Sequence, residues 1–161
     1  MCYSDGMARK IHIICIGKAH DALLIGAITE YQKRTRPYAA LEWHILPPKQ
    51  EATQNAVIAS ESKSILKSLE NAEYVILCDE HGEQMTSEQF SISIIGALAK
   101  HKQVAFVIGG AYGVDKQVKQ RVNKIVSFGS MVLPHQLMRL VLSEQIYRAF
   151  SIEHGSEYHH A

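Results

Sequence analysis

The sequence predicts an α/β domain with a mainly parallel sheet of five to six strands and helices on both faces. Short apolar runs rich in β-branched residues alternate with longer segments at helical spacing, the pattern of strand–helix–strand units. Several of these runs break off at glycine or proline, as strands do when they pass into loops. A chain of 161 residues also suffices for one ordinary core without disulfide or metal staples. Ligands of such sheets sit beyond the carboxyl ends of the strands, here Gly17 and residues 79–82, 109–113 and 129–131.

Residues 11–16, IHIICI, form a nearly unbroken apolar run ended by Gly17, which predicts a central strand buried on both faces. Residues 21–35 carry Leu23, Leu24, Ala27, Ile28 and Tyr31 at helical spacing, with Asp21 as N-cap and Lys33, Arg34 and Arg36 near the negative end of the helix dipole. The run 41–46, LEWHIL, stopped by Pro47 and Pro48, predicts a strand nearer the sheet edge. After a polar, turn-prone stretch over 49–55, residues 56–69 place Val57, Ile58, Ile65, Leu66 and Leu69 on an amphipathic helix. A buried strand over 74–78 leads into Asp79-Glu80-His81-Gly82. Thr86 or Ser87 can cap a helix running to Lys100, with Phe90, Ile94, Ile95 and Leu98 on one side. A strand over 104–108, a short helix over 115–122 and a strand over 125–128 follow.

The last helix, 136–150, is apolar around almost its whole circumference, through Leu137, Met138, Leu140, Val141, Leu142, Ile146, Tyr147, Ala149 and Phe150. One small domain is expected to cover a single face of such a helix, so the pattern predicts a symmetric dimer packed through it. Glu144 and Arg148 lie four apart in this context, ordered for an ion pair that is structural or catalytic.

Apolar residues make up 47% of the chain and charged residues 20%, a globular rather than a disordered composition. A net charge of +1 argues against general nucleic-acid binding, so no DNA partner is expected, and an RNA partner would be held by shape or by a local patch. Cys2, Cys15 and Cys78 have no metal-like spacing, and Cys15 and Cys78 read as small buried hydrophobes in a reducing, cytoplasmic setting. No apolar run approaches the ~20 residues needed to span a bilayer, and no signal-like apolar core opens the chain, so no membrane partner is expected. Residues 1–6 are polar and patternless and are expected to form a disordered extension before a single domain over 7–161, with Met7 as an alternative start.

Gly109-Gly110 with Gly113 gives a G-G-x-x-G turn after a strand, which serves either a close backbone approach by a ligand or only a tight turn. It is neither the dinucleotide fingerprint nor a phosphate loop, which disfavours nucleotide hydrolysis. His135, after Leu133-Pro134, is an acid–base candidate or a capping or core histidine. The nine histidines are scattered, Tyr158-His159-His160 is too exposed by position to hold a metal, and no metal is expected. There is no G-x-S-x-G elbow and no cysteine on an activating loop.

The stretch IGGAYGVD at 108–115, FGSMVLPHQLMRLVLSEQIYRAFSI at 128–152 and the closing Tyr158-His159 resemble the bacterial large-subunit rRNA pseudouridine N3-methyltransferases of the SPOUT class. Weaker similarity runs through IGK at 16–18, EYQKR at 30–34 and LCDEHG at 77–82. The resemblance implies a deep C-terminal trefoil knot, an exception to the rule against knotted chains. It places S-adenosylmethionine in the knot against Cys78, where the family often has leucine, and against Gly109, Gly110, Phe128, Gly129, Ser130, Met131, Val132 and Leu133. It implies a homodimer whose second subunit completes each active site, and as substrate the pseudouridine of helix 69 of 23S rRNA in the assembled 70S ribosome. His135, Arg139, Glu144, Arg148, Tyr158 and His159 match the polar residues around the acceptor base. The family commonly has lysine or arginine after the terminal Tyr-His, whereas this sequence has His160-Ala161, which implies weaker or pH-dependent RNA affinity. The alternatives are a SPOUT enzyme acting on tRNA and a catalytically silent dimeric RNA-binding or ribosome-associated module.

Overall fold

β1 (Lys10–Ile16), β2 (Ala40–Leu46), β3 (Tyr74–Gln84), β4 (Gln103–Ile108) and β5 (Lys124–Ser127) pair in parallel in the order β2-β1-β4-β3-β5. The computed structural model describes residues 9–160, with His159 and His160 described by their backbone alone; the extension expected over residues 1–6 lies outside the described residues. Five helices accompany the sheet: α1 (Ile25–Thr35), α2 (Gln54–Ser68), α3 (Ser87–Lys100), α4 (Lys116–Arg121) and α5 (His135–Glu153). A 3₁₀ turn follows over Glu157–His160. None of the described helices is long and apolar enough to cross a membrane.

The period of two along each strand divides the core. Ile11, Ile13 and Cys15 of β1 join Phe106 of β4 beneath α3 and α5, while Ile14 and Ile16 join Val107 beneath α2 and α4. Helices therefore cover both faces, β1 and β4 are central, and β2 is an edge as its weaker pattern predicts.

Several boundaries depart from expectation. Asp21 does not cap α1; its Oδ1 accepts the Leu23 N–H at 2.8 Å in a turn that delays the helix to Ile25. α2 begins inside the stretch read as a loop, because Thr53 Oγ1 accepts the Ala56 N–H. Thr86 rather than Ser87 caps α3, in a reciprocal capping box with Gln89. Asp115 is the N-cap of α4 rather than its first residue, and Pro134 takes that position before α5.

β3 does not end at Cys78. It continues to Gln84 through a bulge, so that Val126 of β5 lies opposite both Cys78 and Glu83. Gly82 permits this, since a Cβ there would sit 2.7 Å from the Ile125 carbonyl carbon. The bulge carries Asp79, Glu80 and His81 outward at the carboxyl end of the sheet.

α5 is covered on more than one side within a single chain, contrary to expectation. It packs on the sheet between α1 and α3, and Leu142, Ile146, Ala149 and Phe150 are fully buried. The strongly exposed apolar side chains lie elsewhere, at Leu23 (91% exposed), Met131 (79%), Val132 (77%) and Ile92 (75%).

Two glycine substitutions test the bulge by contrast. Gly82→Ala is expected to cost about 1–3 kcal/mol by overpacking β3 against β5. In α3, where a Cβ at Gly96 meets nothing within 4 Å, Gly96→Ala is expected to add about 0.5–1 kcal/mol. Urea unfolding of both variants measures the difference.

Candidate functional site

A cavity of about 400 Å³ opens at the carboxyl ends of β3, β4 and β5, within the ~300–1,000 Å³ usual for small-molecule sites. β3 supplies Leu77, Cys78 and the bulge, β4 supplies Ile108, and residues 109–113 form one rim. Phe128, Gly129, Met131, Val132 and Leu133 form the opposite rim, and His135 and Met138 of α5 close the floor. Every residue expected to face a cofactor lines this cavity except Ser130, which is exposed beside it.

The glycines have different physical reasons. Gly113 (φ +78°) and Gly129 (φ +136°) adopt backbone that side chains rarely tolerate, and the Gly113 N–H closes a turn onto the Gly110 carbonyl at 3.0 Å. Gly109 and Gly110 do not have positive φ. A Cβ on Gly109 would meet Val114 Cγ1 at 2.9 Å, and one on Gly110 would overlap the Glu61 carboxylate. The paired glycines are thus required by what packs beneath the loop, and the cavity is shaped by that packing.

Glu61 was invisible to motif reading although a signal existed: it stands on the apolar face of α2, between Ile58 and Ile65. The structure buries it to 4% exposure, with Oε1 accepting the Lys49 N–H at 3.1 Å. A second cavity of about 400 Å³ lies across the loop, bounded by Glu61, Lys49, Gly110, Tyr112 and His135. His135 therefore touches both spaces. Its imidazole lies below its ordinary pKa because of burial first and the Arg139 charge second, with Glu61 pulling it up. It is a neutral base near neutral pH.

Other titratable groups in the wall behave differently. The Cys78 thiol is pushed up to about 12 by burial, so it is a neutral wall rather than a nucleophile. Asp79 lies below its ordinary value: burial raises it, but hydrogen bonds from the His81 backbone and side chain, with Lys119 nearby, outweigh that rise.

The structure separates the acid–base candidates. Arg139 is fully buried and lines neither cavity; Nη1 donates to the Lys18 carbonyl at 2.9 Å and Nη2 to the Ile16 carbonyl at 3.5 Å. It holds the β1 exit and acts on His135 through its charge, so it cannot touch a nucleobase as expected from its position in the motif. Glu144, Arg148 and Tyr158 form a group of their own, ~14 Å from His135 along α5 at about 1.5 Å per residue. Arg148 donates Nε and Nη2 to Glu144 Oε1 at 2.8 and 2.7 Å, and Gln145 takes Oε2 at 2.6 Å. The Tyr158 hydroxyl meets Glu144 Oε1 at 3.2 Å and Tyr31 at 3.2 Å, and Arg148 lies over its ring. Burial first, then Tyr31 and Glu144, push the Tyr158 phenol far above its ordinary pKa, so it stays protonated. His159 lies in the closing 3₁₀ turn, its side chain outside the described part.

Residues 9–159 match the family described as "Predicted SPOUT methyltransferase". The chain is 42% identical over 157 residues to the Ribosomal RNA large subunit methyltransferase H of Streptococcus equi subsp. zooepidemicus, covering 93% of this chain and 99% of that protein. It is 43% identical, with the same coverage, to the protein of that name from Streptococcus pyogenes serotype M12. Among solved structures, a probable methylase family protein from Haemophilus influenzae superposes with a TM-score of 0.56 at 13% identity, over 90% of this chain and 68% of that one. A probable methyltransferase from Bordetella pertussis gives 0.55 at 11% identity, over 88% and 94%. At such identities these two structures support the fold alone.

The environment of His135 sets an expected titration. Because its folded pKa and that of His20 are both depressed, the stability linked to them is complete above the ordinary imidazole value of about 6.5. It is lost as pH falls through that value towards the lower folded ones. NMR titration should place the His135 midpoint below that of a surface histidine, and Glu61→Gln should lower it further. A midpoint that rises in Glu61→Gln contradicts the electrostatic account.

Proposed function

The chain belongs to the SPOUT methyltransferase family, and we propose that it methylates large-subunit ribosomal RNA with S-adenosylmethionine as donor. The observation that carries this reading is the one cavity gathering Cys78, Gly109, Gly110 and the rim from Phe128 to Leu133 at the ends of three parallel strands. Its size suits a nucleoside-sized cofactor, and the backbone of the two glycine-bearing rims offers donors and acceptors for an adenine edge, with the side chains of Asp79, Glu80, His81, Lys119 and His135 around it. S-adenosylmethionine supplies an activated methyl group when bound there. Ile108, Phe128 and Leu133 exclude water, and the two rims fix the donor's orientation, which supplies much of the acceleration of an in-line transfer.

The acceptor in this proposal is N3 of a pseudouridine in helix 69 of 23S rRNA, in the assembled ribosome. That nitrogen carries a proton that must leave, and His135 is the neutral base within the cavity able to receive it. Burial, with the Arg139 charge behind it, keeps His135 neutral, and Arg139 stiffens the β1 exit; Glu144 and Arg148 anchor the Tyr158 tail to α5. Exposed Met131, Val132 and Leu137 beside the cavity support a homodimer in which the tail of a second copy, with Tyr158 and His159, completes the site. The C-terminal crossing from β4 through β5 into α5 is proposed to thread as the trefoil knot of the family. With a net charge of +1, the ribosome's shape rather than general RNA affinity would select the substrate. Such an enzyme works where ribosomes are, in the cytoplasm.

Transfer of labelled methyl from S-adenosylmethionine to undermodified 70S ribosomes, with nucleoside mass mapping, tests the reading. His135→Ala is expected to lower the rate by about 10²–10⁴-fold with cofactor binding retained by calorimetry. Leu133→Trp should instead weaken cofactor binding at least tenfold. Labelling of tRNA in place of ribosomes, or no cofactor binding by the unaltered protein, contradicts the proposal. Sedimentation tests the dimer: Val132→Glu with Leu137→Glu should give monomers that bind the cofactor weakly and transfer no methyl group.

A further inference from the structure

We propose that His12, Glu42 and His44 form a binding site for a divalent transition-metal ion of the zinc class, separate from the methyl-transfer cavity. His12 of β1 stands in register with Glu42 of β2, and His44 follows Glu42 by two residues, so the sheet itself puts all three side chains on one face. His12 and Glu42 lie in the amino-terminal halves of their strands and His44 just past the middle of β2, with His12 ~13 Å from the cavity end of β1 at about 3.3 Å per residue.

The distances suit a metal. His12 Nδ1 is 3.0 Å from His44 Nε2 and 3.4 Å from Glu42 Oε2, and the three donor atoms all lie within 4.8 Å of one another. A tetrahedral ion with ~2.0–2.1 Å bonds sets its ligand atoms ~3.3 Å apart. Two imidazoles and a carboxylate, with water in the fourth position, are also a donor set that zinc accepts, whereas magnesium and calcium prefer oxygen alone.

The surroundings prepare these atoms for coordination. Gln103 of β4 sits 2.8 Å from His12 Nε2 and accepts its proton, which leaves Nδ1 as the lone pair aimed at His44 and Glu42. Lys10 donates to Glu42 Oε1 at 2.8 Å and leaves Oε2 for the ion. Two imidazole nitrogens and a carboxylate oxygen thus face one small space, which either the proton of a hydrogen bond or a metal ion fills. The ion would tie the edge strand β2 to the central strand β1, and its binding energy would become folding stability.

Titration of the purified chain with Co²⁺ and Zn²⁺ tests the site. The expected result is one equivalent of Co²⁺ with the visible spectrum of a four-coordinate ion, displaced by Zn²⁺, and a melting temperature raised by several degrees under Zn²⁺. His12→Ala and His44→Ala should each weaken binding at least 100-fold. Gln103→Leu, which removes only the group that orients His12, should weaken it about 10–100-fold. His81→Ala, in the separate Asp79-Glu80-His81 group, should leave affinity unchanged. No saturable binding overturns the proposal, since a proton between His12 and Glu42 would then suffice. Binding that survives in the His12→Ala/His44→Ala double variant overturns it equally, because the metal would then belong to His81 or the tail histidines.

Discussion

Parallel pairing of β3 with both β4 and β5 is the constraint on which the site depends. Parallel strands leave the sheet on the same side, so the loops after β3, β4 and β5 must converge whatever their sequences. What sequence decides is whether the convergence leaves a space or fills it. Gly82 lets β3 and β5 approach backbone to backbone, and the four residues between Cys78 and Glu83 bow out as a wall. Gly109 and Gly110 do the same on the other side by admitting Val114 and the Glu61 carboxylate beneath the loop. The cavity is the space these close approaches leave above the sheet.

Arg139 links this edge to α5. Its guanidinium is fully buried, its hydrogen bonds go to backbone carbonyls and neutral side chains, and its Nε has no partner among the described residues. A buried charge without an ion-pair partner is costly; here the carbonyls of Ile16 and Lys18 offset part of that cost at the close passage over Gly17, where a Cβ would stand 2.8 Å from Nη2. The charge also acts at a distance. It depresses the imidazoles of His20 and His135 behind burial, and it partly opposes the burial that raises the Cys15 thiol. One residue thereby fixes the start of α5 and adds to the burial that lowers the histidine at the cavity floor.

Strand and helix identity were legible because period and length are strong signals, as with IHIICI for β1 and the capped run after Thr86 for α3. The β3 bulge was not, since Asp79-Glu80-His81-Gly82 reads as a loop unless the partner strand is known. The loop glycines were legible as a turn, but their reason was not, because Glu61 approaches Gly110 from 49 positions away in the chain. The metal-ligand cluster was hidden likewise: His12, Glu42 and His44 have no spacing motif, and only strand register unites them. Arg139 and Glu144 looked equivalent in the motif, and helical phase separates them, turning one into the core and the other outward.

That phase also bears on the proposed dimer. With the inner faces of α5 covered by the sheet, α1 and α3, the side chains left partly uncovered include Leu137, Leu140, Val141, Glu144 and Arg148, a single stripe at helical spacing. The helix has 19 residues, ~28 Å at about 1.5 Å per residue, with Glu144 at its middle. Within one chain the Tyr158 tail is held near that middle, ~14 Å from the cavity that His135 floors. A two-fold axis through the stripe at Glu144 would run two such helices antiparallel, set the His135 end of each beside the Glu153 end of the other, and leave both Tyr158 tails near the axis. The exposed Met131 and Val132 at the cavity rim would then face the C-terminal half of the partner's α5 rather than water. In such a pair the Tyr158–Glu144–Arg148 group of each chain would lie at the interface, between the two cavities.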